Sequence, residues 1–544
     1  MASFARAWLQ LLGTLALLAS ACDPDGDDTS SPLPIPTGGG STGGESQGGD
    51  STTGGAGQGG QPAGGNNEGA CDTGGPVVES SGSTNAYLLK GTLLLPGGPS
   101  EGELLIAGNL ITCVGASCSG EPGASGATVI ETNGVISAGI IDPHNHTLFN
   151  IFDEDDWTPD QTYLNHNQWA DNDETYSAVV DAKQYLNGET SALELGCELN
   201  KYGEARAIMA GTTSVQGSLG ATGKACWRTL ARSIDVQYNG LPDDLMRTAI
   251  SVPSTESAAN GVCDDLASGD ATAYVVHVAE GVDQTSRNEF TTLGTRSNPD
   301  GCLYHTHTSI IHGTALDDAQ LATMGANDMD LIWSPKSNIF LYGAGTDLSK
   351  TTNIPEALQQ GLNVAIGPDW TLGGSQNMLD ELRYADMVDD AEFGDLLDER
   401  DLVEMATING AIALGVEPYL GSLEEGKRAD VAVFLPSTGS EYGAVLDASP
   451  REVTLVFVDG RLVYGDADFL SVTASDSVCE ELDVCCRQKF ICTGQTGFPA
   501  SDRLDQTLSQ ITQILSDALA DYDASDIDQS QWDFSPLSPL VKCP

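Results

Sequence analysis

Basic residues are scarce in this chain: 23 Lys and Arg stand against 78 Asp and Glu in 544 residues, a formal net charge of −55. With no basic footprint to neutralise phosphates, the field repels nucleic acid and anionic membrane surfaces alike. Membrane-length apolar stretches are also missing near the N-terminus, where the run Trp8 to Ala19 is too short to span a bilayer. No two of the 13 cysteines stand in CxxC spacing, which disfavours a zinc knot in the cysteine-rich C-terminal region. General disorder is excluded, because 40% hydrophobic residues can form packed cores. What remains is an acidic globular protein, long enough for about three or four domains, with an enzyme as the expected class.

Arg6 and the apolar run after it end in the small residues Ser20 and Ala21, the layout of a secretory signal. Ala19-Ser20-Ala21-Cys22 resembles a bacterial lipobox, with Cys22 as the lipidated mature N-terminus. Leu18 sits one place early for that motif, so a plain signal peptide cut nearby is the alternative. Fifteen glycines lie between Gly38 and Gly69, and a Gly/Ser-rich chain without apolar periodicity is a flexible tether. The expected layout is therefore a leader at 1–21, then the lipidated cysteine and linker at 22–84. The protein is expected to be exported to the bacterial cell envelope and to meet a membrane only through its lipid. From residue 85 onward 69 acids and 22 bases remain, a net −47. The twelve cysteines other than Cys22 favour disulfides in an oxidising compartment. Cys113 and Cys118 are close enough to staple one loop. Cys479, Cys485, Cys486, Cys492 and Cys543 crowd the C-terminal region, with their connectivity open.

The pattern from Ala86 to Ile136 is short strands between Gly/Pro turns, and similar strands return at Asp430 to Leu435 and Thr454 to Tyr464. Between them, buried-strand runs alternate with helix-length segments: Gly139 to Asp142, Gly211 to Gln216, Arg247 to Val252, Ala273 to His277, Ser309 to His312, Asp330 to Trp333 and Asn363 to Gly367. Repeated βα units predict a parallel sheet, and about eight units close a barrel. Leu504, Leu508, Ile511, Leu515 and Leu519 share a helical face, which predicts a docked amphipathic helix.

Candidate chemistry gathers where these strands end. The run into Asp142 continues as Pro143-His144-Asn145-His146, and side chains two apart on a strand point the same way, suiting a metal held by neutral imidazoles. His277 ends another strand with Glu280 three residues on, His312 ends a third, and Asp369 follows a fourth. C-terminal strand ends carry the active site of a (β/α)₈ barrel. A second HxH, His305 and His307, precedes its strand and belongs to the opposite end. His166, in a polar loop, faces either substrate or solvent. All three are left out of the metal site.

The set Pro143-His144-Asn145-His146, His277-Val-Ala-Glu280, His312 and Gly367-Pro-Asp369 resembles the amidohydrolase superfamily, nearest the cytosine deaminase and triazine chlorohydrolase-like branch. Ser334-Pro-Lys-Ser-Asn338 and the stretches 406–415 and 421–430 are further matches. The resemblance implies an α/β fold: a (β/α)₈ barrel at 138–420, a small β-sandwich from 85–137 and 421–465, and a cysteine-rich tail at 466–544. It implies one divalent metal on His144, His146, His277 and Asp369, Zn²⁺ in preference to Fe²⁺, lowering the pKa of a water towards about 7. A single metal is expected because Lys224 is the only lysine between Gly211 and Val276, and binuclear relatives need a bridging lysine. Asp369 takes the water's proton, His312 steadies the developing oxyanion, and Glu280 shuttles a proton to the leaving side. The implied reaction is hydrolysis of a non-peptide C–N bond, as in deamination of an amino-substituted ring. The alternatives are a cyclic amide or imidazolone hydrolase on the same site, or a surface metal- or ligand-binding lipoprotein with a vestigial catalytic set. Gly367-Pro-Asp-Trp370 departs from the usual Gly-Thr-Asp, and the loop 150–169 is rich in acids and aromatics. Trp157 and Trp370 are read as walls for a flat substrate, and the acids as favouring a neutral or cationic small molecule.

Overall fold

A computed structural model describes residues 74–217, 230–235, 240–242, 245–499, 502–524 and 532–543. The leader, Cys22 as the lipidation site, nearly all of the linker, and Lys224 lie outside the described residues. Among the described residues, no helix is long and apolar enough to cross a membrane.

Five strands precede the central segment: β1 (Val77–Ser80), β2 (Ala86–Leu95), β3 (Gly98–Ala107), β4 (Leu110–Gly115) and β5 (Thr128–Ala138). Eight short ones carry it: β6 (Ile140–Asp142), β7 (Thr212–Val215), β8 (Arg232–Ser233), β9 (Met246–Ala249), β10 (Ala273–Val278), β11 (Thr308–His312), β12 (Asp330–Trp333) and β13 (Asn363–Ile366). Five more follow: β14 (Val431–Phe434), β15 (Val453–Val458), β16 (Arg461–Asp466), β17 (Ser477–Val484) and β18 (Arg487–Gln495).

The flanking strands build one mixed ten-stranded sheet in the order β17-β18-β16-β15-β14-β5-β2-β3-β4, with β1 on β5. The β5–β14 pair, Ala138 opposite Val431, joins the two flanks, so the chain leaves the sheet at β5 and returns to it at β14. Two strands separate β2 from β15, yet Tyr87 and Phe457 stack edge to face at 5.0 Å. The sheet therefore curls over its own apolar face, as the expected sandwich would, with Leu89, Leu104, Ile136, Val431 and Leu455 inside. It runs past the expected limits of 85–137 and 421–465. β17 and β18, read from sequence as part of a separate tail, extend it through Tyr464 opposite Ile491. Their cysteines masked the alternation that buries Phe490 and Cys492. Disulfides join Cys113–Cys118, Cys479–Cys492 and Cys485–Cys543, and a further one joins Cys263–Cys302.

The eight inner strands are all parallel, in sheets of three (β6-β7-β8) and five (β13-β12-β11-β10-β9). The segments beyond β6 and β13 are laced together: the Asp369 amide donates to His144 O at 3.0 Å and the His146 amide to Asp369 O at 2.8 Å. Seven of these strands are legible as apolar runs, but β8 is not. It is two residues long and polar, and its Arg232 is buried by a bidentate pair with Asp430 (2.6 and 3.0 Å). Bidentate charge pairing of this kind is what lets a guanidinium occupy an interior.

The C-terminal helix spans Leu508–Asp523, opened by a capping box between Thr507 and Gln510. Leu504, expected on its face, lies before the cap and is buried all the same. Ile511, Leu515 and Leu519 pack into the cluster that holds Leu148, Phe152, Trp157 and Trp370. The tail thus supports the segment just after β6.

Candidate active site

The chain beyond β6 is turned by Asp142, whose carboxylate accepts the His144 amide (3.2 Å) and the Asn145 side-chain amide (2.7 Å). This sets His144 and His146 at the C-terminal end of the strand. Parallel register places His312 opposite Val278, next to His277. Asp369 arrives from the end of β13. His312 and Asp369 hold left-handed backbone at φ 67° and 68°. Such conformations cost about 1–3 kcal/mol for a non-glycine residue and cluster at functional sites.

These strand ends bring together two overlapping triplets of donor atoms, each within 4.8 Å: His144, His146 and Asp369, and His144, His277 and His312. Asp369 Oδ1 accepts no hydrogen bond, yet lies 3.4 Å from His144 Nε2 and 3.3 Å from His146 Nε2. His277 Nδ1 is 3.2 Å from Ala249 O. A carbonyl only accepts, so that nitrogen donates and Nε2 presents a lone pair, 3.1 Å from His144 Nε2. Burial pushes His277 down to about 3 and His146 to about 4, in each case helped by His312, so both rings are neutral at pH 7. Burial also pushes Asp369 well above the usual carboxylate range, against a hydrogen bond from Ser337. An orphaned carboxylate oxygen among neutral imidazoles fits a divalent cation, whose charge would return Asp369 to its ionised form.

Ser334-Pro-Lys-Ser-Asn338 explains its own presence. Ser334 Oγ lies 3.1 Å from His144 Nδ1, Ser337 Oγ donates to Asp369 Oδ2 at 2.6 Å, and Asn338 Oδ1 lies 3.0 Å from His312 Nδ1. One short helix, Pro335–Tyr342, with its leading serine, orients three site residues. Outer partners of this kind fix ring orientation in metal sites. The same helix supplies Tyr342, whose hydroxyl donates to Glu280 Oε1 at 2.9 Å. Burial opposes ionisation of Glu280, but the imidazoles of His312 and His166 outweigh it and hold the carboxyl below its ordinary value. Sequence reasoning missed Tyr342, Ser334, Ser337 and Asn338 as individual contributors. Their i, i+3, i+4 spacing after a strand was the available signal.

A cavity of about 270 Å³ opens above this floor, lined by His146, Glu280, His312 and Asp369, with Phe149, His166, Trp169, Tyr176 and Trp370 among its walls. Trp370 is among the lining residues. Trp157 is not: it is fully buried behind the wall, packed on Trp169 at 5.6 Å and Trp370 at 5.8 Å. The loop acids are likewise engaged elsewhere. Asp153 caps the amide of Asp155 and pairs with Lys542, Asp156 caps Asp153, and Glu154 pairs with Lys336. Among the described residues, negative charge facing the cavity comes instead from Glu280, joined by Asp369 where a bound cation returns it to its ionised form. His305 and His307 lie before β11, apart from the site. His166 does not: it contacts Glu280.

Histidines and carboxylates converging at the C-terminal ends of parallel strands define a metal-site α/β hydrolase architecture. Residues 301–463 match the Amidohydrolase family. Over 408 residues the chain is 26% identical to 5'-deoxyadenosine deaminase of Methanothermobacter thermautotrophicus, covering 69% of this chain and 92% of the relative. Over 429 residues it is 24% identical to 5-methylthioadenosine/S-adenosylhomocysteine deaminase of Symbiobacterium thermophilum, covering 72% and 93%. The fold resembles atrazine chlorohydrolase from Arthrobacter aurescens TC1 complexed with zinc, at TM-score 0.54 and 16% identity over 69% of this chain and 95% of that one. The chain is thus similar to the Amidohydrolase family over residues 301–463, and to deaminases over most of their length.

Proposed function

We propose that the protein hydrolytically deaminates an amino-substituted nitrogen heterocycle in a closed (β/α)₈ barrel. The observation that carries this reading is Glu280, held ionised over the cavity beside His312 and across from Asp369. Pure metal binding requires neither Glu280 nor His312. His144, His146, His277 and Asp369 would hold one divalent cation, zinc by preference. When bound, it supplies the Lewis acidity that brings a water towards deprotonation near neutral pH. Asp369 Oδ1 stands beside two imidazole nitrogens as the acceptor for that proton. Glu280 carries a proton to the leaving amino side, and its ionised resting form suits it to collect one first. His312, donating through Nδ1 to Asn338, turns Nε2 towards Glu280 at 3.9 Å, where it orients the attacking water. Trp370, Trp169, Tyr176 and Phe149 offer flat faces for a planar ring. The names of the full-length relatives support an aminopurine nucleoside as the substrate class. Export and lipidation at Cys22 complete the proposal. Cys22→Ala is expected to release the protein from membranes with activity intact.

The test is ammonia release from a panel of aminopurines, aminopyrimidines, aminotriazines and guanidines, sorted by charge, with and without chelator. Chelator-sensitive ammonia release from a neutral or cationic amino-ring supports the reading. Opening of cyclic amides without ammonia would replace it, and tight metal binding with no turnover of either class would leave a binding protein.

A further inference from the structure

We propose that His166 is a positioning residue that clamps the Glu280 carboxylate, with Glu289 as its anchor; the proposal rests on Glu280 being the proton carrier of the deamination. The placement begins in the backbone. The segment before the helix His166–Asn172 is stitched antiparallel to the exit of β10. The His166 amide donates to Glu280 O at 3.2 Å, the Val282 amide to Leu164 O at 2.7 Å, and Asn165 bridges Gly281. His166 is therefore fixed in register with the residue it touches.

The side chain repeats the contact. His166 Nδ1 lies 3.3 Å from Glu280 Oε2, and Nε2 lies 2.8 Å from Glu289 Oε1. The second oxygen of Glu289 accepts the Ala279 amide at 2.8 Å, at a residue whose φ of 59° is itself left-handed. Carboxylates accept and do not donate when ionised, so an imidazole between two of them must carry both protons. Burial works against that charge, but Glu280 and Glu289 outweigh it and lift His166 to about 10. Glu280 is then held at both oxygens, by the Tyr342 hydroxyl on Oε1 and the imidazolium on Oε2. One arrangement fixes the carboxylate plane beside His312 and keeps the group ionised between turnovers. Without the imidazolium, burial would raise Glu280 and leave it protonated when it should accept.

The groups facing His166 are Glu280, Glu289 and His312; those facing Glu280 are His166, His312, His277, His146, Asp369, Tyr176 and Tyr342. Neither Glu280 nor Glu289, nor His166, is among the four proposed metal ligands, so removing His166 should spare the metal.

The experiment compares zinc-loaded wild type with His166→Gln, His166→Ala and Glu289→Gln on the best amino-ring substrate of the panel. His166→Gln keeps a hydrogen bond but not the charge. The expected result is a fall in kcat of about 10- to 100-fold with KM within about threefold, and one zinc per chain retained. The acid limb of kcat/KM should move to higher pH in both His166 variants, and less so in Glu289→Gln. ¹⁵N-histidine NMR of the zinc-loaded wild type at pH 8 should show both His166 nitrogens protonated. Full kcat with an unmoved pH profile in His166→Gln, or a rise in KM alone, would overturn the positioning role. A neutral His166 ring at pH 8 would overturn the clamp even if His166→Ala failed to fold. If wild type releases no ammonia from any ring, the deamination reading fails, while the NMR result still decides whether the clamp exists.

Discussion

The floor and the aromatic wall of the cavity are built by different means. His144, His146, His277, His312 and Asp369 stand on the ends of parallel strands, each set by a neighbour within a few ångströms. Phe149, Trp169, Tyr176 and Trp370 stand on loops and helices backed by a C-terminal tail far away in sequence. Tyr202 and Arg206 both bond Ser538, and the Ser538 amide donates to Ile151 O at 2.8 Å. The disulfide Cys485–Cys543 ties the chain end to the β17–β18 turn. The floor is thus a property of the parallel sheets and holds the groups on which the proposed chemistry rests. The wall depends on the tail being in place and decides what enters.

The largest effect should follow from breaking the floor. Asp369→Asn keeps the size of the side chain and an oxygen for Ser337, but replaces the orphaned carboxylate with a neutral amide. Turnover is expected to drop about 10³-fold or more, with zinc affinity falling at least about tenfold. Elemental analysis after dialysis, beside a thermal melt, separates lost metal from lost fold. Retained zinc with full turnover would remove Asp369 from the ligand set.

The wall and the layer behind it should respond differently, at Trp370 and Trp157 respectively. Trp157→Ala empties a fully buried site and should cost about 3–5 kcal/mol of stability, measured by denaturant unfolding. Trp370→Ala removes a face of the cavity and should raise KM about tenfold, with a smaller effect on kcat. An unstable Trp370→Ala beside a stable Trp157→Ala with raised KM would invert the two layers.

The same contrast explains what could be read from sequence. His144 and His146 were legible because a period of two after an apolar run has one geometric meaning, and Asp369 because a strand delivers it. The clamp on Glu280 was not legible, because His166 and Glu289 are 123 residues apart and each alone looks like a polar surface residue. The acids at 153–156 misled for a related reason. Their count is visible in sequence, but their use as turn caps and as partners of Lys336 and Lys542 is settled by tertiary contacts. Trp157 failed similarly, since a tryptophan near a site packs behind the wall as readily as on it. β8 and β18 were hidden by polar residues whose burial depends on distant partners, Asp430 for Arg232 and Asp466 for Lys489.

The smallest expected effect lies at the joint between floor and wall, the helix Gly196–Met209. One side reaches the floor through Glu204, whose Oε1 accepts from Ser233 Oγ of β8 (2.5 Å) and from Asn200 Nδ2 (2.8 Å). Asn200 in turn accepts from Thr147, just after His146. The other side reaches the tail, through Lys201 to Arg503 O and Arg206 to Ser538. Burial raises Glu204 to about 8, against the hydrogen bonds from Ser233 and Asn200. Its Oε2 has no partner, the arrangement of a carboxyl that keeps its proton. The folded pKa is above the ordinary 4.5, so the folded state binds the extra proton. The contribution to stability is full below pH 4.5 and is lost as pH rises through about 8. Glu204→Gln matches the protonated form in shape and cannot ionise. It should leave turnover unchanged, match wild type near pH 4.5, and exceed it by about 1–3 kcal/mol at pH 8, read from urea midpoints across that range. A constant difference between the two proteins from pH 4.5 to 8 would mean that Glu204 is already ionised in the fold, and that the joint is held by charge on Lys201 instead.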